Sequence, residues 1–202
     1  MLRLWKAHAS RNLAAVLALG QLLALGLYLQ QKFPAILRVV TIPIGSYGEA
    51  IKTGMLESRG THITILECDF LDPTFVAKSI TIFQANEALV VVGSNRHPLS
   101  VDRRPLKRQA LTALYNYIFL RLLIGNRGTD TRGLKSIEAA CAKRLCHMAL
   151  TTDEIFQTEI VLLAWRSGVK IKEVPVAISE LRNAPVSIVR RLPKVLDTGL
   201  AT

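Results

Sequence analysis

The chain has 202 residues, half of them hydrophobic, and its 26 basic and 15 acidic side chains give a net charge of +11. This length suits one ordinary domain with its own core, and the positive surplus favours an anionic partner such as a membrane surface or a phosphorylated substrate. Nucleic acid is disfavoured, because the basic residues are dispersed and the chain has neither an aromatic-studded basic strand nor zinc-finger spacing.

Three cysteines, Cys68, Cys141 and Cys146, are present. Their number is odd and they lack metal-ligand spacing with histidine, so they are interpreted as free thiols in a reducing compartment.

Residues 1–35 form a compositionally separate segment. Twenty uncharged residues lie between Arg11 and Lys32, and the run from Leu13 to Leu29 predicts a hydrophobic helix. Its length is at the lower end for a membrane span, so the helix either associates with a membrane or packs on the fold. The basic residues before it favour a cytoplasmic N-terminus and also resemble a signal-peptide layout, although no clean cleavage site follows. The orientation stays open.

The following segment, from residue 36, alternates between strand and helix patterns. The sequence predicts strands at 36–42, 63–66 and 88–92, a Gly-rich turn at 45–48, and helices at 49–58 and 73–84. This alternation is typical of an α/β domain with right-handed crossovers and a mostly parallel sheet flanked by helices.

The second half of the domain continues to residue 202. It is predicted to contain a long helix at 106–124, a glycine-bracketed loop at 125–133, helices at about 136–148 and 153–167, an edge strand at 170–176 and a basic amphipathic tail at 187–196. Pro175 cannot donate a ladder hydrogen bond, so it marks either an edge strand or the end of the strand.

Acidic residues follow the apolar strand at 63–66. Glu67 and Asp69 are spaced i, i+2 at the carboxyl end of this strand, which is where open α/β sheets bind ligands. Their oxygens suit Mg²⁺ or Mn²⁺. The alternative is that acids at this turn only cap the next helix, a role that fits Asp72 before Pro73.

Six short motifs in chain order resemble those of the family 2 glycosyltransferases of the GT-A (Rossmann-like) fold, in particular the polyprenyl- and dolichyl-phosphate sugar synthases. The motifs are the turn Gly45-Ser-Tyr-Gly48, the pair Glu67 and Asp69 with Asp72-Pro73, Gly93-Ser-Asn-Arg96, Asp130-Thr-Arg-Gly-Leu-Lys135, Phe156-Gln-Thr-Glu159 and Glu173-Val-Pro-Val176. The similarity covers about residues 38–196.

This resemblance implies transfer of a sugar from a nucleotide-diphosphate sugar to a lipid-phosphate acceptor at a membrane surface, with the catalytic domain on the cytoplasmic side. Glu67 and Asp69 would hold Mg²⁺ or Mn²⁺, and Asp69 and Asp130 would be the catalytic positions, with Asp130 at the sugar or acceptor pocket. The implied substrate-binding residues are Gly45, Gly48, Arg96, Arg132, Glu159 and Arg182. Four of these side chains also have simpler interpretations: Asp130 as a helix cap or a loop hydrogen-bond acceptor, Arg96 and Arg182 as solvated surface charges, and Glu159 as the partner of a basic neighbour.

The chain departs from the family in two ways, and these departures leave alternative functions open. The family begins with a strand carrying a Pro-x-Tyr-Asn-Glu-like turn, a helix, and a strand ending in Asp-Asp-x-Ser, which together clasp the nucleotide base. Neither motif is present, and Glu67 replaces an aspartate. We therefore expect an N-terminally incomplete domain that binds nucleotide sugars poorly, with little base preference. The alternatives are a catalytically inactive interaction module and a truncated reading of a longer chain.

Overall fold

The computed structural model describes most of the chain between residues 13 and 178. The described residues are 13–17, 23–43, 46–66, 72–102, 106, 109–110, 114, 130–131, 133–153 and 155–178, of which 13–17, 23–24, 102 and 178 are described by their backbone alone.

Seven strands and five helices have defined bounds in these ranges. In chain order they are β1 (Leu13–Leu17), α1 (Leu23–Lys32), α2 (Tyr47–Glu57), β2 (His62–Leu66), α3 (Pro73–Gln84), β3 (Val90–Ser94), β4 (Val101–Asp102), β5 (Lys135–Glu138), α4 (Ala139–Met148), α5 (Phe156–Arg166), β6 (Ile171–Pro175) and β7 (Ala177–Ile178).

Five of the strands form one mixed sheet in the order β1-β2-β5-β3-β6, and β4 pairs with β7 in a separate parallel ribbon. β1 is parallel to β2 and β3 is parallel to β6, whereas β5 is antiparallel to both of its neighbours. Four of the five strands therefore share one direction, as the alternating pattern predicted, with a reversed strand among them.

The core lies on both faces of this sheet, because successive strand side chains point to opposite sides. One buried cluster joins Ile63, Ile65, Val90 and Val92 to residues of α2, α4 and α5. The other joins Leu66, Val91 and Val174 to Phe75, Ile82 and Phe83 of α3. The helices thus flank the sheet on both sides.

The predicted helix at 13–29 is wrong in its first part. Leu13–Leu17 is a strand that pairs in register with His62–Leu66, whereas Leu23–Lys32 is helical. A short apolar run suits a buried strand as well as a helix, and the backbone partners offered by β2 decide between them. No helix within the described part of the chain has the length and apolar character needed to cross a bilayer.

The predicted strand at 36–42 is also wrong, because the described backbone of this segment is irregular. Ile36 is 77% exposed, and the segment is held by side chains instead. The Arg38 guanidinium lies 2.9 Å from a carboxylate oxygen of Glu57, and the backbone N–H of Val39 donates to the side chain of Gln30.

Residues 135–138 contain the third local error. The sequence pattern began a helix at about residue 136, but Lys135–Glu138 is the reversed strand β5, and the helix begins only at Ala139. The Glu138 carboxylate accepts from the N–H groups of Ala140 and Cys141, so it is the helix cap.

The remaining predicted elements are confirmed where they are described. α2, β2, α3, β3, α5 and β6 lie within a few residues of their predicted bounds, and β6 lies at the edge of the sheet. Asp72 caps α3 by accepting from Thr74 N and Phe75 N at 2.9 and 3.2 Å. Most of the helix predicted at 106–124 and the whole tail at 187–196 lie outside the described residues.

The thiols of Cys141 and Cys146 are free and buried, in agreement with the sequence interpretation. Burial raises the pKa of the Cys146 thiol to about 11, so this group stays protonated at neutral pH. Cys68 lies outside the described residues.

Gly48 provides a test of the packing between α2 and the loop after α4. A β-carbon at Gly48 would lie 2.2 Å from the backbone oxygen of Asp153, so Gly48→Ala should lower the free energy of unfolding by about 3 kcal/mol or more. Gly168→Ala is the control, since its φ of +67° strains an alanine but nothing lies within 4 Å, and it should cost only about 1–2 kcal/mol. Urea unfolding measures the free energy of unfolding of both variants. Equal losses in the two variants would contradict the close packing of Gly48 against the loop after α4.

His62 provides a test of pH dependence. Burial lowers the pKa of His62, with Glu138 opposing the shift, and the ring stacks on Phe83 at 4.4 Å. The unfolded chain therefore takes up this proton more readily, and stability should fall as the pH drops below about 6.5. Urea unfolding at pH 7.5 and 5.5 should show a larger loss for the parent than for His62→Gln. An equal loss in both proteins would contradict the assignment.

Candidate active site at the carboxyl edge of the sheet

Three chain segments meet at one edge of the five-stranded sheet. Because β5 runs antiparallel to β2 and β3, its first residue lies at their carboxyl ends, and Lys135 is the register partner of both Ile65 and Val92. The end of β2, the end of β3 and the described residues of the loop before β5 therefore lie together. This is the edge at which α/β sheets bind ligands.

Asp130 joins two of these segments. Its side chain is fully buried, and one carboxylate oxygen accepts from the backbone N–H of Asn95 at 3.0 Å. Its own N–H donates to the Glu173 carboxylate at 2.7 Å. A buried acid held in this way fixes the end of β3 against β6. Asp130 is therefore a hydrogen-bond acceptor within the loop, one of the alternatives that the sequence left open.

The turn after β3 is folded back by a serine. The Ser100 hydroxyl donates to the backbone oxygen of Ser94 at 2.6 Å and accepts from the N–H of Val176 at 3.1 Å. This contact places Arg96 at the tip of a fixed turn. Arg96 is exposed, and no ion pair of its guanidinium is found with the described residues, so its charge faces solvent at this edge.

Asn95 carries a buried oxygen beside that turn. Among the described side chains, its Oδ1 atom is buried without a hydrogen-bond donor. A buried acceptor of this kind costs stability unless a ligand or water supplies a donor.

Lys135 is a fully buried basic residue at the same edge. Its ammonium donates to the backbone oxygen of Gly133 at 2.9 Å and to Gln157 Oε1 at 2.6 Å. Gln157 Nε2 in turn donates to the hydroxyl of Tyr47 at 2.5 Å. The loop before β5 is thereby connected to α5 and to the start of α2.

Two predicted binding residues, Gly48 and Glu159, contact the loop between α4 and α5. Gly48 packs against residues 152–153. The Glu159 carboxylate accepts from the N–H groups of Leu150 and Thr151 at 2.8 and 2.9 Å and from the Thr151 hydroxyl. Both residues shape the loop, and their contact with a substrate stays a prediction.

The remaining predicted site residues lie outside the described residues. They are Gly45, Glu67, Asp69, Arg132 and Arg182. Within the part of the chain that the structure describes, no group of three or more His, Cys, Asp or Glu residues could hold a metal ion.

A cavity of about 200 Å³ lies near this edge, between the start of α3 and the β4–β7 ribbon. Asp72, Thr74, Leu99 and Val176 are among its lining residues. Small-molecule pockets commonly measure about 300–1,000 Å³, and the Asp72 carboxylate is already engaged as a helix cap, so the cavity does not suit a nucleotide sugar.

Sequence reasoning missed Tyr47, Gln157 and Lys135 as members of one network. All three stand within quoted motifs, but their separation along the chain gives no sign that they touch. The available signal was Lys135, a charged residue between Leu134 and Ser136 at the start of a segment that proved to be a buried strand.

Solved structures with the same fold establish its class. Glucosyl-3-phosphoglycerate synthase from Mycobacterium tuberculosis, in complex with Mn²⁺, uridine diphosphate and phosphoglyceric acid, is similar at a TM-score of 0.63 and 17% identity, over 97% of this chain and 81% of that chain. The same enzyme with Mg²⁺ and uridine diphosphate gives a TM-score of 0.58 at 17% identity, over 98% of this chain and 82% of that chain. The chain therefore has a GT-A glycosyltransferase fold.

Two curated proteins are similar in sequence. Dolichyl-phosphate beta-glucosyltransferase ALG5A of Trichomonas vaginalis is 26% identical over 146 residues, covering 70% of this chain and 45% of that protein. Dolichyl-phosphate beta-glucosyltransferase of Saccharomyces cerevisiae is 25% identical over 157 residues, covering 70% and 46%. The chain spans about half the length of these relatives. No family model matches it.

Asp130 provides the test of this edge. Asp130→Ala removes the acceptor for the Asn95 N–H and should lower the free energy of unfolding by about 1.5–3 kcal/mol. Asp130→Asn keeps a side-chain oxygen in the same place and should cost less. Urea unfolding compares the two variants, and an alanine variant as stable as the parent would show that this contact does not hold the edge together.

Proposed function

We propose that this chain is the core of a metal-dependent glycosyltransferase. It transfers a sugar, with glucose the first candidate, from a uridine-diphosphate sugar to a lipid phosphate of the dolichyl type. The observation that carries the proposal is that Asp130, in the loop before β5, binds the turn after β3 and Glu173 at the carboxyl edge of the sheet, where β2 also ends. The similarity to nucleotide-sugar enzymes of this fold supports it.

The metal would be held by the segment after β2. Leu66 ends β2 at the carboxyl edge, so Glu67 and Asp69 begin there, and their hard oxygen donors fit Mg²⁺ or Mn²⁺. A bound divalent ion would offset the charge of the diphosphate leaving group. Glu67 has one methylene more than aspartate, so Asp69 is the better candidate for the principal ligand.

The acceptor phosphate would face the turn after β3. Arg96 offers a solvent-facing guanidinium there, suited to a phosphate group, and Arg132 and Arg182 are further candidates. In the reaction, an acceptor phosphate oxygen forms the bond to the anomeric carbon as the bond to the nucleoside diphosphate breaks. The acceptor is already anionic, so little general-base assistance is needed.

In this scheme Asp130 acts by shaping the acceptor side of the site. Its carboxylate is fully buried and holds the backbone next to Arg96. Through this contact Asp130 sets the position from which the guanidinium reaches a phosphate. Direct contact of Asp130 with the sugar stays a prediction.

A lipid acceptor requires access to a membrane surface. Leu25, Leu27 and Tyr28 on α1 are 42–50% exposed, and Phe33 beyond it is 43% exposed. Apolar and aromatic side chains beside Lys32 suit the interface between headgroups and acyl chains. The cytoplasmic placement of the domain stays a prediction.

The second candidate function is an interaction module without catalysis. The observation that favours it lies in the sequence: the residues of this chain contain neither of the family's base-clasping motifs, and Glu67 stands where the family has an aspartate. The weak, unselective nucleotide binding expected from the sequence also belongs to this candidate. Base-selective turnover of a uridine-diphosphate sugar would exclude it.

The metal assignment is tested by calorimetric titration with Mn²⁺ in the presence of uridine diphosphate. The parent should bind Mn²⁺, and Asp69→Ala should weaken the binding tenfold or more, because a charged ligand is lost. Asp72→Ala is the matched control: it removes a carboxylate three residues away that caps α3, so it should cost about 1 kcal/mol of stability and leave Mn²⁺ binding intact. Identical titrations of parent and Asp69→Ala would overturn the metal site.

A further inference from the structure

Two exposed apolar side chains stand on the wall of the cavity beside the turn after β3. The cavity has a volume of about 200 Å³, and its apolar lining residues are Leu99, Val101, Pro175, Val176 and Ala177. Leu99 is 74% exposed and Val101 is 50% exposed. Single exposed apolar residues are common on protein surfaces, but these two line one concavity, where an apolar ligand group would remove both from water.

This wall is held by backbone contacts with the edge of the sheet. The N–H of Val101 donates to the backbone oxygen of Val176 at 3.1 Å, and the N–H of Val176 donates to the Ser100 hydroxyl at 3.1 Å. β4 and β7 extend the contact by pairing Val101 with Ala177. A ligand would therefore meet a preformed surface, so its binding would cost little ordering of the protein.

Three polar side chains from the start of α3 complete the lining. They are those of Asp72, Thr74 and Lys78. The negative charge of Asp72, which caps the helix, disfavours a phosphate group inside the cavity. The aliphatic stem of Lys78 can cover apolar surface while its ammonium stays in water. The cavity thus suits a hydrocarbon chain whose charged end lies outside it.

Arg96 offers a place for that charged end. It belongs to the same turn as Leu99, and three residues of chain span at most about 11 Å. The turn is closed by hydrogen bonds from the N–H of His97 to the backbone oxygen of Ser94 at 3.4 Å and from the N–H of Ser100 to that of His97 at 2.8 Å. A chain attached to a phosphate on Arg96 therefore has only a short distance to run to the cavity wall.

We infer that the cavity beside Leu99 takes the part of the acceptor's hydrocarbon chain next to its phosphate, while the phosphate lies outside the cavity on Arg96. The inference rests on the proposed function and specifies how its acceptor is recognised. A compact phosphorylated acid would leave Leu99 and Val101 in water and would bring a second negative charge toward Asp72, so it fits this surface poorly.

The first test varies the length of the chain. The intact protein is titrated calorimetrically with methyl, butyl and octyl phosphate, each kept monomeric. Binding should tighten by up to about fourfold for each methylene that becomes buried and level off once the cavity is filled. Phosphoglyceric acid, which has no hydrocarbon chain, should bind no more tightly than methyl phosphate. Octyl phosphate binding no more tightly than methyl phosphate would overturn the inference.

The second test locates the chain with Leu99→Ser. This variant should bind octyl phosphate about tenfold more weakly than the parent and methyl phosphate equally well, because only the chain contacts the leucine. Leu150→Ser is the matched control. Leu150 is 76% exposed, and its loop is bonded to Glu159 of α5, on the opposite face of the sheet from α3. Equal losses in the two variants would overturn the assignment of the chain to this cavity.

The third test locates the phosphate with Arg96→Ala. Methyl and octyl phosphate should both bind about tenfold more weakly, because a charged hydrogen bond to the shared phosphate is lost. The losses from Arg96→Ala and Leu99→Ser should add in the double variant, since the two residues hold different parts of the ligand. Undiminished binding of methyl phosphate by Arg96→Ala would overturn the placement of the phosphate. Thermal unfolding checks that each variant keeps its fold.

A bilayer surface is the other occupant that an exposed apolar wall could take. Sedimentation with vesicles of phosphatidylcholine and phosphatidylserine in equal amounts tests it, and Leu99→Ser should sediment with them as the parent does. A variant that loses vesicle binding but keeps octyl phosphate binding would assign the wall to the membrane and overturn the inference.

The titrations also separate this inference from the proposed function. If the parent binds octyl phosphate more tightly than methyl phosphate and Leu99→Ser keeps that difference, the chain site is overturned and the proposed function stands. If the parent binds no alkyl phosphate of any length, the lipid-phosphate acceptor of the proposed function is overturned together with this inference.

Discussion

The reversed strand β5 is the constraint on which the site depends. It lies between β2 and β3 and pairs with both, so the residues that precede it arrive at the carboxyl ends of its neighbours. A parallel strand in that place would carry the same residues to the opposite edge. The convergence of Asp130 and Lys135 with the ends of β2 and β3 follows from this one choice of direction.

Buried polar contacts then hold the converging segments. Asp130 and Lys135 are both fully buried, and each makes hydrogen bonds to residues far away along the chain. Burying an acid or an ammonium is costly unless it is paired, so these contacts tolerate little displacement. The turn at Arg96 and the start of α2 are thereby fixed relative to the sheet, which a ligand site at this edge requires.

The N-terminal segment shows how pairing overrides local pattern. Leu13–Leu17 lies beside β2, so the sheet extends one strand further than the sequence pattern indicates. Parallel pairing with β2 brings the carboxyl end of β1 to the site edge as well. Residues that the sequence assigned to a hydrophobic helix thus contribute a strand to the sheet that carries the site.

The sequence by itself determined the elements whose signals are local. Short apolar runs rich in β-branched residues indicated β2 and β3, Asp72 before Pro73 marked the start of α3, and Pro175 marked β6 as an edge strand or its end. The order of six short motifs also indicated the GT-A glycosyltransferase fold. The element signals arise from side chains within a few residues of one another, and the motif order adds a pattern along the chain that needs no knowledge of the contacts.

Only the tertiary structure decided the elements that depend on distant partners. Residues 13–17 and 135–138 become strands because their backbones pair with strands of the sheet, β2 in the first case and β2 and β3 in the second. A short apolar or mixed run of residues does not encode this pairing. The contacts of Tyr47 with Gln157, 110 positions apart, and of Asp130 with Asn95, 35 positions apart, exist only once the sheet has formed. Their chemistry is visible in the residue types, but their proximity is a property of the fold.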